Sequence, residues 1–452
     1  MTGHGETGHG ETGHGDATMA DAGVGARPQE YTGAYIVLLD ADDVDAGMAA
    51  LESGAGIGAP ERLGSGELES APEALAEGAS VVLDEIGVAV VTVPPDQQGA
   101  LLETAAEADH VLAVEPERVV YAFGDGPSAD YLRGYRDGVD ALVTRVTGGA
   151  AAAAGRAEAV AATWDESVTT WGLQATRVVE SCVTGRGVRV AVLDTGVDLR
   201  HRDLAGRTVR TASFIAGETV DDGHGHGTHC IGTACGTREP RVLPRYGVAP
   251  GAEIYAGKVL SNAGSGADRG ILAGIDWAVS QGCRVVSMSL GAPTRVGDSY
   301  SRVYETVAQR ALRKGTLIVA AAGNESRRPG TIKPVGHPAN CPSILAVAAL
   351  TPDLGVAAFS CAGLNPDGGQ VDIAAPGVDV SSSWPEPTGY RRLNGTSMAT
   401  PHVAGIVALL AEANPDAGPG ELKSLLLSGA RRLPLPSTDV GSGLAQATVQ
   451  AP

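Results

Sequence analysis

Aromatic residues are scarce in this chain, making up 4% of its 452 residues, with only three Phe and four Trp. A large core must therefore be built from Ala, Val, Leu and Ile, and a hydrophobic content of 43% supplies enough of them. Long apolar runs are missing too: no stretch of about 18 residues qualifies as a membrane span. Positive charge is in deficit, with 33 Lys and Arg against 53 Asp and Glu, for a formal net charge of −20. That balance argues against nucleic acid and anionic membranes as main partners. Met1 to Glu30 is mostly Gly, Thr, His and acid, without the apolar segment of a signal peptide. The chain as written is read as cytoplasmic by default; export by another route, or from a different start, is the alternative. Cys182, Cys230, Cys235, Cys283, Cys341 and Cys361 form no Cys-x-x-Cys pair and no zinc spacing. Cys341 and Cys361 are candidates for a bridge in an oxidising compartment, while free buried thiols suit a chain without an export signal.

The length suits two or three domains. Residues 2–16 repeat Thr-Gly-His-Gly-Glu/Asp three times, so 1–28 is read as a disordered polar tail; His4, His9 and His14 are a weak metal site at most. A small α+β domain follows over 29–124. Strands are expected at 35–39 and 88–93, a helical piece at 72–77, and a helix capped by Asp96 that runs to Glu107. A last strand is expected at 111–114, followed by Glu115 to Tyr121. Apolar residues at 132, 135, 139, 142 and 146 predict a helix, and 148–162 is an Ala/Gly linker. Together they make a spacer over 125–162. From 163 to 452 short apolar strands (188–193, 254–259, 285–288, 317–321, 344–349) alternate with helices (271–280, and 304–314 closed by Gly315). Such alternation indicates an α/β domain with a parallel sheet covered on both faces.

Four motifs stand in this domain: Val192-Leu193-Asp194-Thr195-Gly196, Gly225-His226-Gly227-Thr228-His229, Ala321-Ala322-Gly323-Asn324 and Gly395-Thr396-Ser397-Met398-Ala399. Asp194 and Asn324 lie just past strand ends, where functional groups of such sheets gather. Each residue alone has a plain reading as a turn former or an exposed polar group. Together they supply an acid, a base, a carboxamide and a hydroxyl, and a serine hydroxyl needs such a base to act as a nucleophile. An apolar helix follows Ser397, with Pro401 expected in its first turn and Asn414-Pro415 ending it.

With Gly441-Ser442-Gly443-Leu444, these motifs make residues 163–446 resemble the subtilase family of serine endopeptidases, which has the same Asp, His, Ser order. The resemblance implies a subtilisin-like three-layer α/β domain with a mostly parallel central sheet, preceded by a small α+β ferredoxin-like inhibitor propeptide. It implies a catalytic triad of Asp194, His226 and Ser397, and an oxyanion hole made by Asn324 with the Ser397 N–H. Substrate would add as a strand between Gly264-Ser265-Gly266 and Ser289-Leu290-Gly291. A pocket for an apolar or aromatic side chain would be walled by Ala321, Ala322 and Gly323 and reached by Gly336-His337-Pro338. The implied partners are protein or peptide substrates and the chain's own propeptide, with the enzyme a monomer that cuts itself between Tyr121 and Ala162. No cofactor is required and no catalytic metal is expected. Asp203 matches a calcium ligand of the family, yet the loop 237–246 lacks the Asn-rich pattern, so structural calcium stays an option only. His229 and His402 are read as structural and Cys230 as a buried thiol near the site. A dead enzyme acting as a binding module is the rival reading, and a specialised processing enzyme with 131–162 as a partner-recognition insert is another.

Overall fold

The computed structural model describes residues 29–58, 60–64, 72–76, 78–123 and 164–447; the expected tail and the expected helix and linker over 125–162 lie outside the described residues. The first unit runs β1 (Tyr31–Leu39), α1 (Val44–Ala55), β2 (Glu61–Leu63), a 3₁₀ turn (Pro72–Leu75), β3 (Val81–Leu83), β4 (Val88–Val91), α2 (Gln98–Glu107) and β5 (Val111–Ala122). Side-chain alternation decides how it is covered. Val37, Leu39, Ala89 and Val91 face the two helices with Leu51 and Leu101. Ile36, Leu38, Val88 and Val90 face the other way, into the core of the second unit.

Expectations change here at Asp96, at 72–77 and in the last strand. Asp96 does not cap α2: the Gln97 N–H bonds to the Pro94 carbonyl in a turn, and Gln97 is the N-cap without a side-chain bond. Of the helical piece expected at 72–77, Pro72–Leu75 forms a short 3₁₀ turn. The sheet, in order β2-β3-β4-β1-β5, is antiparallel except for the parallel β2–β3 pair. The last strand is also three times its expected length, because its second half finds partners in the second unit.

That unit contains α3 (Trp171–Ala175), β6 (Arg189–Asp194), β7 (Val209–Ser213), α4 (His226–Cys235), β8 (Glu253–Lys258), β9 (Ser265–Ala267), α5 (Asp268–Ser280), β10 (Val285–Met288) and β11 (Leu290–Gly291). It continues through α6 (Arg302–Arg313), β12 (Leu317–Ala321), β13 (Leu345–Leu350), β14 (Ile373–Pro376), the hairpin β15 (Val380–Ser383) and β16 (Tyr390–Leu393), α7 (Thr396–Ala413), α8 (Pro419–Ser428) and α9 (Ser437–Val440). Seven strands form one sheet in the order β14-β13-β12-β10-β6-β8-β7, every neighbouring pair parallel. Ala191, Leu193, Val286 and Met288 pack toward α5 and α6, and Val190, Val192, Leu317 and Val319 toward α4 and α7. The strand order reverses around β6, which places the end of that strand, Asp194, at the switch point.

Pro401 is the sixth residue of α7 and not in its first turn, because the helix already begins at Thr396. A proline there denies the Ser397 carbonyl its intrahelical donor. Ser289 Oγ donates to that carbonyl instead, at 2.9 Å, with the Cys230 thiol at 3.6 Å.

The two units meet through polar as well as apolar contacts. Buried Glu117 receives the Arg269 guanidinium at 2.8 Å. Glu115 accepts from Ser301 Oγ and the Val303 N–H at the start of α6, and Arg310 reaches back to the Leu39, Ile86 and Gly87 carbonyls. Among the described residues no helix is long and apolar enough to cross a membrane.

Candidate active site

Asp194 ends β6 and His226 opens α4, whose N-cap is Gly225 at φ 101°. A side chain at Gly225 would collide with the Trp384 ring, so glycine is required there on two counts. His226 Nδ1 lies 2.7 Å from Asp194 Oδ1, which also accepts the Thr195 N–H at 2.7 Å. Both side chains are buried. Burial alone would raise the Asp194 carboxyl, but the facing His226 outweighs it and holds the group below the usual range. Burial likewise opposes the imidazolium, and the Asp194 charge prevails, raising His226 well above 6.5. His226 Nε2 is buried with no hydrogen-bond partner among the described residues. Ser397, second residue of α7, does not bond to it here: its hydroxyl points to the carbonyls of Ser289 (3.1 Å) and Phe123 (3.2 Å).

Asn324 follows β12. Its Oδ1 accepts the Thr396 N–H and the Thr396 hydroxyl, both at 2.9 Å, which fixes the amide so that Nδ2 faces the Phe123 carbonyl at 3.4 Å. One carbonyl oxygen thus sits beside both the hydroxyl and the carboxamide. The Ser397 N–H, in the first turn of α7, is one of the amides a helix leaves without an internal acceptor.

Phe123 arrives there at the end of β5, whose last residues form a strand between β9 and β11. Val120 pairs with Gly266 and Tyr121 with Ser265 on one side; Ala122 pairs with Leu290 and Tyr121 with Gly291 on the other, all antiparallel. The Ala122 N–H adds a bond to the Gly264 carbonyl at 2.9 Å. The Phe123 ring lies against Gly291, where a Cβ would come within 2.6 Å of it, and near Gly336. Ala321 and Ala322 are buried behind this wall, and the Gly336 N–H donates to the Ala322 carbonyl. Gly323 adjoins Glu325 and Cys361.

Sequence reasoning passed over Asp222. Its carboxylate accepts from the Thr195 hydroxyl, the Gly225 and Thr228 N–H groups and the Thr228 hydroxyl, at 2.7–2.8 Å, and so ties the His226 turn to the Asp194 turn. An acid four residues ahead of the histidine, at a helix start, was the available signal. His229 and His402 hold buried carbonyls, of Val380 and Met398; burial lowers them to about 3 and about 4, so both rings are neutral.

Asp194, His226 and Cys230 each place a ligand atom within 4.8 Å of the others. The Asp194 and His226 atoms are already bonded to each other, and burial pushes the Cys230 thiol up to about 11, so the set suits proton sharing better than a cation. Asp203 accepts from the hydroxyls of Tyr246 (2.7 Å) and Tyr390 (2.9 Å) and from the Arg241 N–H (2.8 Å). Three donors already point at that carboxylate, and these residues do not fit a calcium ion. No disulfide links the cysteines: Cys341 contacts the Ser301 carbonyl and Cys361 the Glu325 carboxyl, so the bridge considered between them is not formed.

A parallel α/β sheet with an acid, imidazole, hydroxyl and carboxamide at its carboxyl edge defines the class of serine hydrolases built on a subtilisin-like fold. The model of the subtilase family matches residues 185–445, and the chain belongs to that family of serine endopeptidases. It is 42% identical to Subtilisin E of Bacillus subtilis (strain 168) over 252 residues, 55% of this chain and 62% of that protein. It is 38% identical to Subtilisin DY of Bacillus licheniformis over 262 residues, 58% of this chain and 90% of that protein. Subtilisin Savinase of Lederbergia lenta is 42% identical over 282 residues, 61% of this chain and 96% of that protein.

Proposed function

We propose that the chain is a serine endopeptidase made as a zymogen, and that its first substrate is its own Phe123–Gly124 peptide bond. The observation that carries this reading is the Phe123 carbonyl oxygen, 3.2 Å from Ser397 Oγ and 3.4 Å from Asn324 Nδ2 at the end of an added strand. Ser397 Oγ attacks the Phe123 carbonyl carbon as its proton passes to His226 Nε2, once the hydroxyl turns from Ser289. Asp194 keeps the ring in the required tautomer and stabilises the imidazolium. Charge forming on the Phe123 oxygen is held by Asn324 Nδ2 and the Ser397 N–H. His226 then protonates the leaving Gly124 amine, and water releases Phe123 from the acyl-enzyme.

In this account residues 29–123 are the inhibitor propeptide and 163–452 hold the peptidase, which acts as a monomer on protein and peptide substrates without a cofactor. Strand addition supports a broad sequence range, since backbone pairing does not read side chains. A fluorophosphonate probe tests the reading against the binding-module alternative. The processed enzyme takes the label on Ser397 and hydrolyses casein; an unlabelled, inactive processed protein contradicts the proposal.

A further inference from the structure

A carboxylate is buried at the far end of the cleft from the reacting groups. Asp268 opens α5 directly after β9, so the register that pairs Ala267 with Val119 brings it opposite Arg118. Its side chain extends the ladder by one step. Oδ2 accepts the Arg118 backbone N–H at 2.9 Å and lies 3.5 Å from guanidinium Nη1. Oδ1 accepts the Tyr304 hydroxyl at 2.8 Å and lies 3.5 Å from His337 Nε2.

The Asp268 side chain has no exposure to solvent. Burial would raise it, and His337 and Arg118 together keep it below the usual carboxylate range. His337 is itself lowered, by burial first and then by Arg118, so it is a neutral neighbour. Arg118 therefore brings the full positive charge to Asp268. Its other partner, Glu115 Oε2 at 3.0 Å, lies on β5 and leaves with it.

A carboxylate withdrawn from water is costly unless a cation and hydrogen bonds answer it. Cutting after Phe123 frees the strand that carries the cation, while Asp268, Tyr304 and His337 stay with the peptidase. What remains is a negative socket in line with the strand-addition site, emptied of its guanidinium. Counting back from the cut bond, Phe123 is the first residue and Arg118 the sixth.

Resting on the endopeptidase reading above, we propose that Asp268 is a specificity-determining residue that selects substrates with a basic side chain at the sixth position before the cleaved bond. The substrate class is protein segments that can lie as a strand, with arginine or lysine at that place and an aromatic residue at the cut. Arginine is preferred over lysine, because its fork can meet the carboxylate while its stem lies along the strand.

Processed wild-type enzyme is given fluorogenic peptides copying residues 118–125, Arg-Val-Val-Tyr-Ala-Phe-Gly-Asp, with Arg, Lys, Ala or Glu in the first place. The expected order of kcat/KM is Arg, Lys, Ala, Glu, with Arg above Ala by about tenfold, the scale of one hydrogen bond to a charged group. The ratio shrinks as salt is raised. In Asp268→Asn the Arg-to-Ala ratio falls to near one, and in Asp268→Lys the order of Arg and Glu inverts. Each ratio is taken within one enzyme, so a general loss of activity does not imitate the result. Equal cleavage of all four peptides after Phe, or a basic preference at the place of Val120 instead, overturns the proposal and leaves the endopeptidase reading standing. Cleavage of none of them by the processed enzyme overturns both.

Discussion

Phe123 and Ser397, 274 positions apart in the chain, meet with the carbonyl oxygen of one 3.2 Å from the hydroxyl of the other. The meeting is set by strand pairing: β5 leaves its own sheet, enters between β9 and β11, and stops where α7 begins. In the proposed account inhibitor and first substrate are one segment, and a covalent tether would keep the effective concentration of the strand at about millimolar.

The pocket around the Phe123 ring predicts which residues are tolerated there. Its near wall is Gly291, with Gly336 close by. Phe123→Leu should process at a rate near wild type, and Phe123→Asp more slowly by at least about tenfold, since a charge must be desolvated in an apolar pocket. Gly291→Val, which fills the space of the ring, should slow processing as well. A time course of full-length chain on a gel reads all three; an unimpaired Phe123→Asp variant would show that the ring does not direct the cut.

Asn324 Nδ2 faces the Phe123 carbonyl oxygen, on which charge develops in the proposed mechanism, so its loss should appear in turnover rather than in binding. For Asn324→Ala the expected fall in kcat is about 10²–10³, the size known for the matching donor of subtilisin, with KM little changed. Steady-state kinetics on a peptide substrate separate the two. A change in KM alone would make Asn324 a ground-state contact.

The pH dependence follows from His226. In the proposed mechanism its neutral form accepts the Ser397 proton, and Asp194 raises the imidazole well above 6.5. Activity is therefore low where the ring is protonated and rises with pH through a midpoint above 6.5. Asp194→Asn removes the charge that raises the ring, so the midpoint should move down while kcat drops by about 10⁴. The kcat/KM profile checks both, and an ascending limb centred at or below 6.5 in the wild type would contradict the assigned pair.

Calcium removal should do little at Asp203, whose carboxylate is taken by Tyr246, Tyr390 and the Arg241 N–H. The melting temperature of the processed enzyme is expected to be unchanged by EDTA, whereas Tyr246→Phe lowers stability by about 1–3 kcal/mol by leaving a buried carboxylate short of a donor. Chelator-dependent melting that Asp203→Asn abolishes would reverse this view.

Much of the second unit was legible because parallel strands covered on both faces are continuous apolar runs: 285–288 and 317–321 were read with their observed limits. The four motif residues were legible because their chemistry is rare at such spacing. Short or polar elements, such as β2, β7 and β16, carry too little pattern to stand out. Asp222 hid in a Gly-rich polar loop, and Asp96 looked like a cap although a turn separates it from its helix. The contact of Phe123 with Ser397 has no local signature at all, since it arises only when two units dock.

The most direct measurement is N-terminal sequencing of the chain after incubation, set beside Ser397→Ala in the absence of other proteases. The account predicts a new N-terminus at Gly124 that builds up with time in the wild type, and a full-length chain that persists in Ser397→Ala. A first cut at another bond, or the same cut at the same rate in Ser397→Ala, would contradict it.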